Sequence, residues 1–173
     1  GGAGYWVQPY TDSPLDGEPV GETVYLNLIA KAETYVYIMT PYLIISDSIN
    51  TALRNAAMSG VDVRLMTPHI PDKKTVFELT RAHYLPLLEA GVRIYEYTPG
   101  FLHSKSFAVD YRSMFLHFED GVWLCGDPTV LEIKKDFLET QNVCEEITLE
   151  KARDHYFPRL LFRAVLRIFA PLM

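Results

Sequence analysis

Apolar residues in this chain fall into short runs of β-formers that alternate with stretches of helical spacing. Val20, Val24 and Leu28 recur every four residues with Ile29 beside them, which predicts a helix from about 19 to 33. Tyr35-Val36-Tyr37-Ile38-Met39 is an unbroken β-forming run and reads as a buried strand. Ser46, Asp47 or Ser48 can cap a second helix through Met58, and Gly60 is placed to end it. Residues 61–66 predict a second strand, 75–90 a helix closed by Gly91, and 92–97 a third strand. Strands and helices alternating over short connections predict an α/β fold, a mixed, largely parallel sheet flanked by helices. Ligands gather beyond the carboxyl ends of such strands. Three connections leave from those ends, at 40–42, 68–74 and 98–102, and the last delivers His103. They are expected to rim one pocket.

The flanking regions are plainer. Residues 1–19 are rich in Gly, Pro, Asp and Tyr without a period and read as an extended leading segment or linker. Strands are expected at 106–110 and 121–125, and helices at 128–141 and about 149–169, the last kinked at Pro158. Residues 20–173 are expected to form one domain.

Composition narrows the classes. At 173 residues and 49% hydrophobic, the chain can bury one real core. No uninterrupted apolar run is long enough to span a bilayer, and the first residues lack the pattern of a signal peptide. Cys125 and Cys144 are too few for a disulfide framework and have no metal-ligand spacing with the histidines, so a reducing compartment fits. The net charge is −6, but residues 151–173 carry five cations against Asp154, a balance of +4 that leaves −10 on the rest. An acidic body argues against nucleic-acid binding, which needs a basic face.

The densest chemistry lies in His103-Ser104-Lys105-Ser106-Phe107, closing on Asp110. On a strand, residues two apart face the same side, so His103 and Lys105 would point into one site. An imidazole changes charge near neutral pH and can act as base, nucleophile or acid. An ammonium beside it would hold phosphoryl oxygens as a compact charge. That pair is what attack on a phosphate diester needs.

The spacing H-x-K-x(4)-D is that of the phospholipase D superfamily. Gln8-Pro9-Tyr10, Thr40-Pro41-Tyr42-Leu43, Gly60-Val61-Asp62-Val63-Arg64, Ile70-Pro71-Asp72-Lys73-Lys74 and Tyr95-Glu96-Tyr97-Thr98-Pro99-Gly100-Phe101 resemble bacterial cardiolipin synthases of that superfamily over nearly the whole chain. The chain looks like their carboxy-terminal catalytic half. The resemblance implies a phospholipase D-like α/β/α sandwich and transfer of a phosphatidyl group between two phosphatidylglycerols, giving cardiolipin and glycerol without metal or organic cofactor. It implies His103 as nucleophile or general acid, Lys105 as phosphate clamp, Asp110 as the motif acid and Glu119 as the carboxylate that orients the imidazole. Because the family's site takes one motif from each of two halves, it also implies a partner, the amino-terminal half or a second copy. The place implied is the cytoplasmic face of a bacterial membrane.

The resemblance breaks after Asp110. There the family carries a further short strand and a Gly-(Ser/Thr)-x-Asn segment before the Tyr-Arg-Ser that matches Tyr111-Arg112-Ser113, about a dozen residues in all. Asp110 is therefore either the motif acid or the residue before Tyr-Arg-Ser. Two accounts of the gap stand open: a genuine deletion, or a segment of the natural chain left out between 110 and 111 as numbered. Loss of a core strand is expected to strand its neighbours' backbone groups, at roughly 1–3 kcal/mol each.

Among other candidates, Tyr42, Lys73 and Lys74 could contact a phosphate or headgroup, against the plainer reading of a solvated loop. His69, His83, His117 and His155 have no partner spacing and read as structural or surface residues. Arg159, Arg163 and Arg167 recur every four positions and form one basic stripe. Such a stripe suits an interfacial helix on anionic lipid, or a helix packed on the domain with a solvated face. Two other functions stay open: a single-motif phosphodiesterase or nuclease acting as a dimer, and a non-catalytic half that binds lipid or a partner.

Overall fold

A computed structural model describes residues 5–11, 20–110, 112–117 and 120–156. In chain order these form β1 (Trp6–Thr11), α1 (Val20–Ala30), β2 (Tyr35–Met39), α2 (Asp47–Met58), β3 (Asp62–Pro68), α3 (Lys74–Ala82) and α4 (Tyr84–Glu89). There follow β4 (Arg93–Tyr97), β5 (Ser106–Val109), β6 (Arg112–His117), β7 (Asp120–Cys125), α5 (Thr129–Gln141), β8 (Cys144–Ile147) and α6 (Leu149–Tyr156).

The strands make a single sheet in the order β1-β7-β6-β5-β2-β3-β4-β8. The mixed α/β sandwich expected from the sequence forms, with its parallel part in β2, β3 and β4. Antiparallel strands flank that centre on both sides. All five residues of β2 are buried because helices cover both faces. Val36 and Ile38 join Leu28 and Ile29 of α1, Leu53 of α2 and Leu87 of α4 in one core. Tyr35, Tyr37 and Met39 turn the other way, toward Ile133 and Phe137 of α5. The Tyr37 and Phe137 rings stack at 4.8 Å. Burial of each such side chain contributes about 1.5–3 kcal/mol.

Local signals account for most boundaries. The Ser46 hydroxyl accepts from the Ile49 backbone N–H at 3.2 Å and so caps α2. Gly60, at φ 95°, turns the chain out of that helix into β3. The single helix expected over 75–90 is instead two. Pro86 lacks the N–H and its ring opposes the carbonyl four residues back, at Ala82, where α3 ends.

Residues 6–11 pair with β7 as an edge strand instead of standing apart. Pro9 fits an edge, where one side of the ladder is open. Tyr10 lies opposite Gly121, and its ring fills the space a side chain would take, 2.3 Å from where a Cβ would stand. Cys144-Glu145-Glu146-Ile147 is too polar to read as a strand, yet closes the opposite edge as β8, where charges are tolerated.

The expected penalty at the break after Asp110 does not arise. Val109 pairs with Arg112, and β6 pairs with β7 throughout. Among the described residues the ladder runs unbroken from β5 through β6 to β7. Asp110 itself sits at φ 50°, a left-handed conformation that Asp tolerates. Its carboxylate accepts from the backbone N–H groups of Glu33, Thr34 and Tyr35 at 2.9, 3.0 and 3.1 Å, pinning the turn before β2. The Tyr35 hydroxyl donates to the Asp110 carbonyl. Partial burial works against the charge, but the backbone N–H donors outweigh it and hold this carboxyl below its usual range.

A carboxyl depressed on folding stabilises the fold above its unfolded value of about 4, and that gain disappears as pH falls through the lower folded value. Urea unfolding is therefore expected to show Asp110→Asn less stable than wild type by about 1–2 kcal/mol at pH 7. The difference should shrink in acid. An unchanged midpoint at neutral pH would remove the clamp from this account.

Candidate functional site

The carboxyl ends of β2, β3 and β4 lie side by side, and backbone hydrogen bonds carry the ladder one step past them. Thr40 N–H donates to Met66 O, and His69 N–H donates to Tyr97 O, each at 3.0 Å. The three connections therefore leave together. The Tyr42 hydroxyl donates to Asp72 across the first two, and Phe101 from the third lies 6.4 Å from the Tyr42 ring. Phe101 in turn lies 5.9 Å from His103. One continuous rim, Asp72-Tyr42-Phe101-His103, thus joins all three connections.

His103 and Lys105 sit in an irregular segment, because β5 begins only at Ser106. The alternation of a strand therefore does not set their directions. His103 is exposed and Lys105 half-buried, just ahead of a strand that is buried throughout. Tyr42 is pushed up by its bond to Asp72 and by burial, and Asp72 is held low chiefly by the same bond. The pair is thus a neutral phenol on a carboxylate at the mouth of the site. Lys73 and Lys74 are exposed beside Asp72.

Asp110 does not join this group. It follows the far end of β5 from His103, with the whole strand between them, roughly 13 Å of rise over four residues. A carboxylate at that distance exchanges no proton with His103, and its three backbone donors make it an anchor of the fold. Glu119, Arg159, Arg163 and Arg167 lie outside the described residues.

Sequence reasoning missed what stands behind the rim. Glu96, on β4, is fully buried. Its oxygens accept from Arg81 Nε at 2.9 Å and Nη2 at 2.7 Å, and from the Tyr84 hydroxyl at 3.1 Å. His69 Nδ1 lies 2.8 Å from Oε2, and Thr67 Oγ1 bonds the Tyr84 hydroxyl at 2.6 Å. Burial, and then Glu96, push the Tyr84 phenol well up. His69 thus has a partner 27 residues away, a separation that no local spacing reveals. One signal was available: Glu96 is the sole acid of β4 and lies between Tyr95 and Tyr97, beyond the exposed Arg93 that opens the strand, where an unpaired charge would be costly.

A cavity of about 80 Å³ opens under this network, bounded also by Glu145 and Lys151. Its charges already pair, Lys151 with Glu145 at 2.6 Å and Arg81 with Glu96 at 2.7 Å. It holds a few waters at most and is far too small for a lipid headgroup. Among the described residues no group of three or more His, Cys, Asp or Glu is arranged to hold a metal ion. Nor is any helix there long and apolar enough to cross a membrane.

The fold is that of solved phospholipase D-type structures. It superposes on a phospholipase D family member, Nuc from Salmonella typhimurium, with a TM-score of 0.68 at 17% identity, over 84% of this chain and 99% of that one. Phosphatidylserine synthase from Haemophilus influenzae gives 0.69 at 13% identity, over 97% of this chain and 46% of that one. At the level of sequence, residues 25–125 match the family described as cardiolipin synthase, PLD-like domain. The chain belongs to that family.

Relatives include a Streptococcus mutans protein described only as uncharacterized, 42% identical over 97% of this chain and 39% of that protein. The cardiolipin synthase of Geobacillus kaustophilus is 36% identical over 96% of this chain and 36% of its own length. Cardiolipin synthase 2 of Bacillus cereus is 38% identical over 87% and 32%. The chain therefore spans less than two fifths of the relatives it matches. The first two matches run 180 and 179 positions while covering 97% and 96% of 173 residues, so the relatives carry about a dozen positions with no counterpart here. That excess is similar in size to the segment that the resemblance places after Asp110.

Glu96→Ala is expected to lower stability by about 3 kcal/mol, because it leaves the Arg81 guanidinium beside a partnerless cavity. Glu96→Leu combined with Arg81→Met should recover much of that loss. Chemical denaturation of the single and double variants measures both values, and a double variant as unstable as Glu96→Ala would show that the pair itself is not the cause.

Proposed function

We propose that this chain is the carboxy-terminal catalytic part of a cardiolipin synthase and contributes His103 and Lys105 to a two-motif site. The observation that supports it best is the shared rim, which gathers His103 with groups from all three sheet-end connections in a chain of that family. In this reading an imidazole nitrogen attacks phosphorus of phosphatidylglycerol, a P–N bond forms, and the P–O bond to the headgroup glycerol breaks. A second imidazole, from the other motif, protonates the departing glycerol oxygen. That same group then takes the proton from the free hydroxyl of a second phosphatidylglycerol, whose oxygen attacks phosphorus and breaks the P–N bond. His103 is one of these two imidazoles. Lys105 holds the non-bridging oxygens as charge builds on them. Glu119, by its match to the family, orients the imidazole.

The test is a chimera in which this chain replaces the matching part of the Geobacillus kaustophilus enzyme, assayed on phosphatidylglycerol vesicles. Cardiolipin is expected, falling by at least about 10³-fold with His103→Ala and about 10²–10³-fold with Lys105→Met. Alkaline quench of a single turnover, which preserves the acid-labile P–N bond, assigns the role of His103: phosphorus from the lipid retained on it marks the nucleophile. A folded chimera that makes no cardiolipin, even with the relatives' dozen residues restored after Asp110, would overturn the proposal.

A further inference from the structure

The three connections that rim the site each carry one large apolar side chain turned to solvent. Ile44 follows β2 and is 38% exposed, Ile70 follows β3 and is 51% exposed, and Phe101 follows β4 and is 38% exposed. Val143, ahead of β8 and bonded through its carbonyl to Thr98, adds a fourth exposed tip at this end; elsewhere Met58, Leu131 and Leu149 stand singly, and Trp6 and Val7 lie on the far edge strand just after Tyr5. At the site end the apolar tips come from separate connections that the Tyr42–Asp72 bond and the Tyr42–Phe101 contact tie together. Lys73 ends the middle connection and Lys74 opens α3, both exposed and offset in part by Asp72. This is a cationic rim with apolar tips on a chain of net charge −6.

We propose that this end of the sheet docks on an anionic bilayer, with Ile44, Ile70 and Phe101 entering the acyl boundary and Lys73 and Lys74 meeting lipid phosphates. The inference rests on the reading that the substrate is a phospholipid. Such a surface joins apolar insertion to charge attraction, the combination that binds lipid interfaces. In the two-motif reading the other half must meet His103, so the part of this end left for lipid is the middle connection, where Lys73 and Lys74 would repel the same pair on a second copy but attract lipid phosphates. Docking here would present His103 directly to the headgroup layer, so that a lipid need only rise a short way to reach it.

Sedimentation with vesicles tests this without any catalytic readout. Binding to phosphatidylglycerol–phosphatidylcholine vesicles is expected to fall about 10–30-fold with Lys73→Gln/Lys74→Gln, near fivefold for each cation. It should fall at least about tenfold with Ile44→Ser/Ile70→Ser. Both variants change exposed residues, and circular dichroism confirms that each is folded. The fluorescence of an Ile70→Trp variant is expected to be quenched by brominated lipid. Loss confined to a variant of Arg159, Arg163 and Arg167, with the loop variants binding normally, would overturn the proposal. So would concentration-dependent self-association that Ile44→Ser/Ile70→Ser abolishes while vesicle binding never appears. Normal vesicle insertion by a chimera that makes no cardiolipin would instead sink the catalytic reading and leave the docking surface standing.

Discussion

A carboxylate with no access to water holds the working end of this sheet together. Removing Glu96 from solvent costs several kcal/mol unless its oxygens are fully engaged, and they are engaged by groups from α3, α4 and the connection after β3. Each partner is thereby fixed relative to β4. Arg81 ties down the helix that follows Lys73, and His69 ties down the chain just ahead of Ile70 and Asp72. The rim can be a rim because its middle member is tethered at both ends to one buried acid.

From that tether the arrangement follows. Two parallel crossovers align three strand ends, and the connections leaving them have nowhere to go but over the same edge. The chain then turns back as β5, antiparallel to β2, so the residues just before β5 arrive at that edge too. His103 and Lys105 reach the mouth by this reversal. Asp110, at the end of β5, is carried to the opposite edge, where it locks the turn ahead of β2. The short motif thus serves both ends of one strand, with the proposed chemistry at its start and architecture at its close.

Much of this was legible in the chain. The run 35–39 declared a doubly covered strand because every residue in it is apolar or aromatic, and both of its faces are packed. The convergence of the three connections was legible for the same reason, since alternating strands and helices dictate parallel ends. Asp110 was not, because sequence proximity to His103 says nothing of which end of a strand a residue occupies. Glu96 and His69 escaped because their partnership spans the whole of α3 and α4. The edge strands escaped because edges tolerate the Pro and Glu that disqualify a central strand, so β1 and β8 carry no pattern of their own.

The far edge has a consequence for how the chain comes to be folded. Among the described residues β1 pairs only with β7, more than a hundred residues later, whereas β2, β3 and β4 find one another through short crossovers. During synthesis β1 must wait until residues 120–125 have left the ribosome. Closure of so distant a pair comes late and slowly. For that interval β1 stands unpaired, and the residue that ends the wait is Gly121, whose bare backbone receives the Tyr10 ring.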